Sequence, residues 1–221
     1  MMKLLALETA TEACSAAVWI DGAVWERYEL APRRHAALIL PMIEAVLAEA
    51  ELTMNQLDAI AVGRGPGAFT GVRMAIGIAQ GLAFAADLPV IPVSTLAALA
   101  LGAARETGQT RIATALDARM GEVYWGTWSI SGERVESVGE ERVCAPALAN
   151  GAPGPWFGTG SGWLAYAEAL SQRLTVSGWL GDRYPQASDV ARLAADPDRR
   201  GAWVAAEQAL PVYLRDRVVG G

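Results

Sequence analysis

The chain has 221 residues, a length that fits one large domain or two of about 100 residues each and is ample to bury a core. With 52% hydrophobic and 19% charged residues it lacks the composition of a disordered segment, and a formal charge of -6 argues against broad electrostatic binding of nucleic acid by this chain alone. Two cysteines, Cys14 and Cys144, are too few for a disulfide framework and sit in no metal-ligand spacing, so they read as reduced core thiols.

The apolar run after Lys3 stops at Glu8, which is too short for a signal peptide, and the expected location is the cytoplasm. That run predicts a buried strand over 3–7, with a polar bend at 8–12. Strands over 15–20 and 23–29 flank Asp21-Gly22, the favoured pair for a type I′ hairpin turn. A helix is expected over 32–50, with Leu40, Ile43 and Leu47 on one stripe and Ile39, Met42 and Val46 on a second. Two apolar faces need two covers. Pro41 predicts a kink or a late start, since an interior proline costs ~3 kcal/mol.

Residues 57–87 organise the chain: a short buried strand over 58–62, a loop broken by Gly63, Gly65, Pro66, Gly67 and Gly71, then a helix from 72 to 86. Glycines ahead of a helix can bring backbone N–H groups to an anion. A P-loop, however, places Gly-Lys-Ser/Thr at the helix entry, where this chain has Gly71-Val72-Arg73. Gly63, Gly65 and Ala68 match only a bare G-x-G-x-x-A, which Pro66 stiffens, so a tight structural turn is the simpler reading. Between Arg73 and Asp87 the only strongly polar side chain is Gln80. This helix is apolar on every side and needs a second cover, from this chain or from another. Gly77 and Gly81, one turn apart, allow another backbone to approach closely.

A short strand over 90–92, a helix over 95–105 capped by Ser94, and a linker-like stretch at 106–110 close the first half. The second half begins as the first did, with strands over 111–116, 122–130 and 134–143 and a polar bend at 117–121. Glu8 answers to Asp117, and Trp19 to Trp128 at the same separation. A strand over 156–158 with Gly158-Thr159-Gly160 opening onto a helix over 161–173 parallels 61–65. The first copy's long helix has no counterpart in 145–155. Helices over 184–195 and 201–210 and a closing segment at 211–215 complete the chain. The expectation is a duplicated α/β fold with subdomains 1–108 and 109–221, in which 202–221 packs back on the first.

The single histidine, His35, excludes a histidine pair for metal and reads as a solvated helix start beside Arg33 and Arg34, or as a lone base. No G-x-S-x-G occurs. The remaining candidates form a polar cleft: Glu8 and Asp117 at strand ends, with Arg119 and Glu122 near Asp117. The competing reading makes each carboxylate a bend residue bonding local backbone N–H groups. No catalytic residue and no metal site is assigned.

Three ordered runs carry a resemblance over nearly the whole chain: Gly65-Pro66-Gly67-Ala68-Phe69-Thr70-Gly71-Val72-Arg73, the run from Ala115 to Tyr124, and Pro211-Val212-Tyr213-Leu214-Arg215. Together they resemble the TsaB (YeaZ) family. The resemblance implies a duplicated actin-like, sugar-kinase and Hsp70-type (ribonuclease H-like) fold. It also implies a non-catalytic scaffold in the machinery that places threonylcarbamoyl on N6 of the adenosine beside the anticodon of tRNAs reading ANN codons. The implied partners are the catalytic, metal-bearing paralogue TsaD and the ATPase TsaE, with a homodimer when alone, tRNA reached only indirectly, and no membrane. No intrinsic cofactor is implied; ATP or ADP would sit at the partner interface or come through TsaE. Interface residues carried over by helix face are Ile39, Met42, Val46, Met74, Ile78 and Leu82, and Gly65, Pro66, Gly67, Phe69, Thr70, Gly71 and Arg73 mark the glycine-rich loop. Relatives commonly have Asp-Thr-Ser/Thr after the first strand, where this chain has Glu8-Thr9-Ala10. Active members of the wider superfamily hold Mg²⁺ and phosphate there with an aspartate and glycine, so Glu8 argues against independent ATP hydrolysis. The alternative is a weak ATPase or a glycoprotease-like hydrolase acting by itself.

Overall fold

The computed structural model describes residues 1–196 and 202–215. It divides into two compact units, Met1–Ala98 with Pro185–Pro211, and Leu99–Tyr184 with the described residues from Val212 onward. The division therefore differs from the expected 108/109 in two ways: the first unit ends at Ala98, inside the helix expected over 95–105, and it also takes in Pro185–Pro211.

In the first unit β1 (Lys3–Glu8), β2 (Ala13–Ile20), β3 (Ala23–Leu30), β4 (Ala59–Gly63) and β5 (Val90–Val93) form one sheet in the order β3-β2-β1-β4-β5. The first three strands are antiparallel; β1, β4 and β5 are parallel. β4, reading AIAVG, is buried throughout, as a central parallel strand covered on both faces must be. At the edge, β3 carries Glu26, Arg27 and Glu29, charges that discourage further strand pairing. Helices α1 (His35–Glu49) and α2 (Phe69–Ala86) share one core with Leu5, Leu7, Val18, Ile60 and Val62. α1 starts at His35 and runs through Pro41. The His35 ring Nε2 donates to the Ala13 carbonyl (3.1 Å), so the histidine ties α1 to β2 rather than standing in solvent.

α5 (Ala187–Ala194), expected over 184–195 in the second half, packs against β1 and β2 of the first unit. Backbone donation from Ala187 to Ser15 Oγ and from Ser188 to Glu26, both 2.9 Å, fixes its start. The helix expected over 201–210 is absent from its described part: Val204 makes a bridge with Val90, followed by a short 3-10 turn, Ala206–Gln208. Gly201 lies outside the described residues.

α3 (Thr95–Thr107) carries the chain into the second unit. There β6 (Arg111–Arg119), β7 (Glu122–Ser131), β8 (Arg134–Ser137), β10 (Trp156–Thr159) and β11 (Val176–Leu180) follow the order β11-β10-β6-β7-β8, with β9 (Arg142–Cys144) also on β7. Read from β8, this is the first sheet's order and polarity again, which is the duplication seen in the sequence. The strand expected over 134–143 is two strands, and β11 was missed. Trp128 faces Ile112 whereas Trp19 faces Leu4, one residue out of step with the sequence echo, because β6 and β7 close through a bulged tight hairpin. Small Ala113 and Ala115 on β6 leave room for Trp125, Trp156 and Trp163, which fill the core beneath α4 (Ser161–Ser171). Trp163 Nε1 donates to the Ala113 carbonyl and Trp125 Nε1 to the Asn150 carbonyl, so both indoles are satisfied in the interior. Both cysteines are buried and free.

Candidate functional site

The glycine-rich loop is closed by its own chain. Three of its amides are already used within the chain: Arg64 N–H donates to the Val93 carbonyl (2.8 Å), Gly65 N–H to Thr95 Oγ1 (3.2 Å) and Ala68 N–H to the Ala10 carbonyl (2.7 Å). Gly65 has φ 95° and precedes a cis peptide to Pro66. A Cβ at Gly67 would meet the Ala10 carbonyl, and one at Gly71 the Thr9 carbonyl, so these glycines let the loop lie directly on the β1–β2 bend. Thr9 Oγ1 donates to the Gly71 carbonyl (2.7 Å) from the other side. Of the remaining loop residues, Phe69, Thr70 and Arg73 face outward, with the Arg73 guanidinium 3.5 Å above the Phe69 ring. The loop is a structural turn.

Glu8 lies beneath it, fully buried, although the sequence reads as a polar bend. Its Oε1 accepts from Ala10 N–H (2.7 Å) and its Oε2 from the Thr95 hydroxyl (3.1 Å), while Gly63 leaves no Cβ in the carboxyl group's place. Loss of hydration raises its pKa from 4.5 to about 7, against the smaller opposing effect of the hydrogen bonds from Ala10, Thr95 and Thr9. Between those pH values the folded chain holds a proton that the unfolded chain has released. Stability from the neutral carboxyl is therefore complete below pH 4.5 and lost as pH rises through 7, a change on the order of 2–3 kcal/mol. Glu8→Gln, neutral at every pH, is expected to flatten urea-measured stability between pH 5 and 8. An unaltered pH slope in that variant would refute the assignment.

In the second unit the remaining polar-cleft residues form a locked turn. Arg119 N–H donates to Asp117 Oδ1 (2.8 Å) and the Arg119 guanidinium to Asp117 Oδ2 (2.9 Å). Glu8 and Asp117 thus each accept the amide two residues on, the local bend role. Glu122 pairs with Arg215 (2.5 Å), which also donates to the Arg119 carbonyl. Of the segment expected to return to the first unit, 202–211 lie in that unit, whereas Arg215 secures the β6–β7 hairpin of the second; residues 216–221 lie outside the described residues. Nothing in the spacing of Glu122 and Arg215 announced this pair. Among the described residues no group of three or more His, Cys, Asp or Glu is arranged to hold a metal ion.

The exposed feature is the outer face of α2. Among the described residues one helix, Phe69–Ala86, is long and apolar enough by length and composition to cross a membrane, yet only 33% of it is buried. Val72, Ala75, Ile76, Ala79 and Ala83 face the sheet; Gly77 and Gly81 face outward with open space where a Cβ would stand. Met74, Ile78 and Leu82 are half-buried alongside, and Phe84 is 84% exposed. On α1 the assignment fails: Ile39, Met42 and Val46 are buried in the first unit's core and cannot meet a partner, whereas Leu40 is the large apolar side chain turned outward.

The chain matches the family model of TsaD, tRNA N6-adenosine threonylcarbamoyltransferase, over residues 28–193. It is 44% identical to the tRNA threonylcarbamoyladenosine biosynthesis protein TsaB of Escherichia coli K12, across 98% of this chain and 96% of that protein. The chain belongs to the TsaB (YeaZ) family. The TsaB of Haemophilus influenzae is 42% identical over 98% of the chain and 95% of its own length. YeaZ from Pseudomonas aeruginosa has the same fold at a TM-score of 0.91, with 48% identity over 97% of this chain and 100% of that one. TsaB membership together with the TsaD-model match identifies the two units as the paired subdomains of the actin-like fold, and the family is named for threonylcarbamoyladenosine biosynthesis in tRNA.

Proposed function

We propose that this chain is a non-catalytic, cytoplasmic scaffold in threonylcarbamoyl transfer to tRNA, docking through the outer face of α2 on its TsaD paralogue and, when alone, on a second copy of itself. The observation that carries this reading is a helix that is apolar from Met74 to Ala86 except at Gln80, and of which the chain buries a third. TsaE joins the pair and brings the ATP chemistry, so this chain needs no cofactor of its own. The charge of -6 leaves tRNA to the partners. A self-sufficient ATPase or hydrolase is less well supported, since both oxygens of Glu8 are engaged by backbone and hydroxyl groups and Asp117 is tied to Arg119.

Deleting the gene should remove threonylcarbamoyladenosine from tRNA digests, while the purified chain alone should hydrolyse neither ATP nor peptide. Turnover lost on Glu8→Ala or Asp117→Ala would establish the hydrolase instead. Gly77 gives a finer test. Because its Cβ enters open space, Gly77→Ala should stabilise the free chain by about 0.8 kcal/mol through helix propensity, yet hold the docked partner helix further off and weaken the complex about tenfold. A complex unaffected by the change would move the crossing point away from Gly77.

A further inference from the structure

We propose that Glu8 is a proton-operated latch that holds the glycine-rich loop closed against the β1–β2 bend. Three segments distant in sequence meet on this one carboxyl group. The bend contributes Ala10 N–H, the first turn of α3 contributes the Thr95 hydroxyl, and the end of β4 presents the bare Cα of Gly63. Thr95 passes the connection on, since its Oγ1 accepts from Gly65 N–H and its own N–H donates to the Gly65 carbonyl (3.0 Å). The bend holds the other end of the loop through Ala68 N–H on the Ala10 carbonyl and Thr9 Oγ1 on the Gly71 carbonyl. Displacing the carboxyl group therefore loosens the loop at both ends.

The groups that steady the charge are all neutral. Ionisable side chains on the surrounding elements include Lys3 on β1, Glu12 in the bend, Cys14 on β2, Glu26, Arg27 and Glu29 on β3, Arg64 in the loop, Arg73 on α2, Arg105 and Glu106 on α3, and Asp189 and Arg192 on α5. The balance at Glu8 is set by burial against the Ala10, Thr95 and Thr9 hydrogen bonds. The Cys14 thiol instead responds, pushed up to about 11 chiefly by burial, with Glu29 and Glu8 adding to it. A carboxylate that ionises in such a place regains hydration only if the structure over it opens. Ala10 N–H and the Thr95 hydroxyl donate to the carboxyl group in either form, but the ionised form also bears the desolvation of its burial, and that cost favours the open loop. The device lies within the first unit and does not depend on the docking reading.

Native-state amide exchange on the full chain, reported as protection factors, tests the latch. Gly65 and Ala68 amides are expected to lose about tenfold in protection between pH 6 and pH 8, the ratio that follows from a carboxyl group ionising near 7 when closed and near 4.5 when open. The Ile60 amide, bonded to the Pro89 carbonyl in the body of the sheet, should not change. Glu8→Gln should remove the pH dependence at Gly65 and Ala68. The ¹³C shift of the wild-type Glu8 carboxyl group supplies a readout that needs no variant, with a midpoint near 7 expected. A carboxyl midpoint below 5, equal protection at both pH values, or the same tenfold loss in Glu8→Gln would each overturn the proposal.

Discussion

Gly63→Ala is expected to destabilise the first unit by on the order of 4 kcal/mol, a large effect for the addition of one methyl group. Gly63 is not needed for an unusual backbone angle; it ends β4 beneath the Glu8 carboxyl group, and a Cβ there would occupy the same space as that group. The carboxyl group would have to leave Ala10 N–H and the Thr95 hydroxyl, which stay buried without it. Urea unfolding measures the loss. The double variant Glu8→Ala, Gly63→Ala should recover at least half of it, because the two positions compete for one volume. A Gly63→Ala protein within 1 kcal/mol of wild type would show that the loop is not packed as described. The contrast with Gly77→Ala is instructive: the same substitution in the same unit is expected to have opposite signs, decided only by what stands beside the Cα.

Ile78→Glu should leave the free chain folded and weaken the complex with TsaD at least about a thousandfold, equivalent to about 4 kcal/mol. Ile78 is half-buried on the flank of α2, so a glutamate there can reach water in the free chain. Once a partner covers the face, the same carboxylate is sealed among apolar groups without a counter-charge. Val46→Glu is the complementary case. Val46 is fully buried in the core that α1 and α2 share, and its replacement should unfold the chain before docking can be measured. Circular dichroism melting and titration calorimetry separate the two outcomes. Retention of full affinity by folded Ile78→Glu would exclude this flank from the contact.

Much of the fold was legible where local pattern and long-range packing agree. Asp21 and Gly22 both take positive φ in the hairpin turn that the dipeptide signals, and Ser94 Oγ accepts from Ala97 N–H at the start of α3. The repeat was readable because both sheets are built from the same hairpin-led module. What failed depended on distant partners. Two apolar stripes on α1 are equivalent by spacing, and only the sheet beneath decides that Ile39, Met42 and Val46 turn inward. Glu8-Thr9-Ala10-Thr11-Glu12 has the composition of a solvated bend, yet the glycine loop, over fifty residues later, buries Glu8 and Thr9 completely. β11 was too short, with Gly178 in its middle, to stand out from a loop. The break between β8 and β9 falls at Val138-Gly139-Glu140-Glu141, where glycine followed by two glutamates disfavours a strand, a local signal that the expected strand over 134–143 overran. At the site, the bend role of Asp117 was available from sequence, whereas the Glu122–Arg215 pair joins residues too far apart for any spacing rule.

The docking account is tested most directly by a photo-crosslinking amino acid placed at Phe84, on the outer face of α2 and 84% exposed, with a control at Leu164 on α4. Irradiating the reconstituted complex should join Phe84 to TsaD, and irradiating the chain alone should join it to a second copy, while Leu164 gives neither product. An assembled complex that crosslinks from Leu164 and never from Phe84 would contradict the central claim that this chain works through the uncovered face of α2.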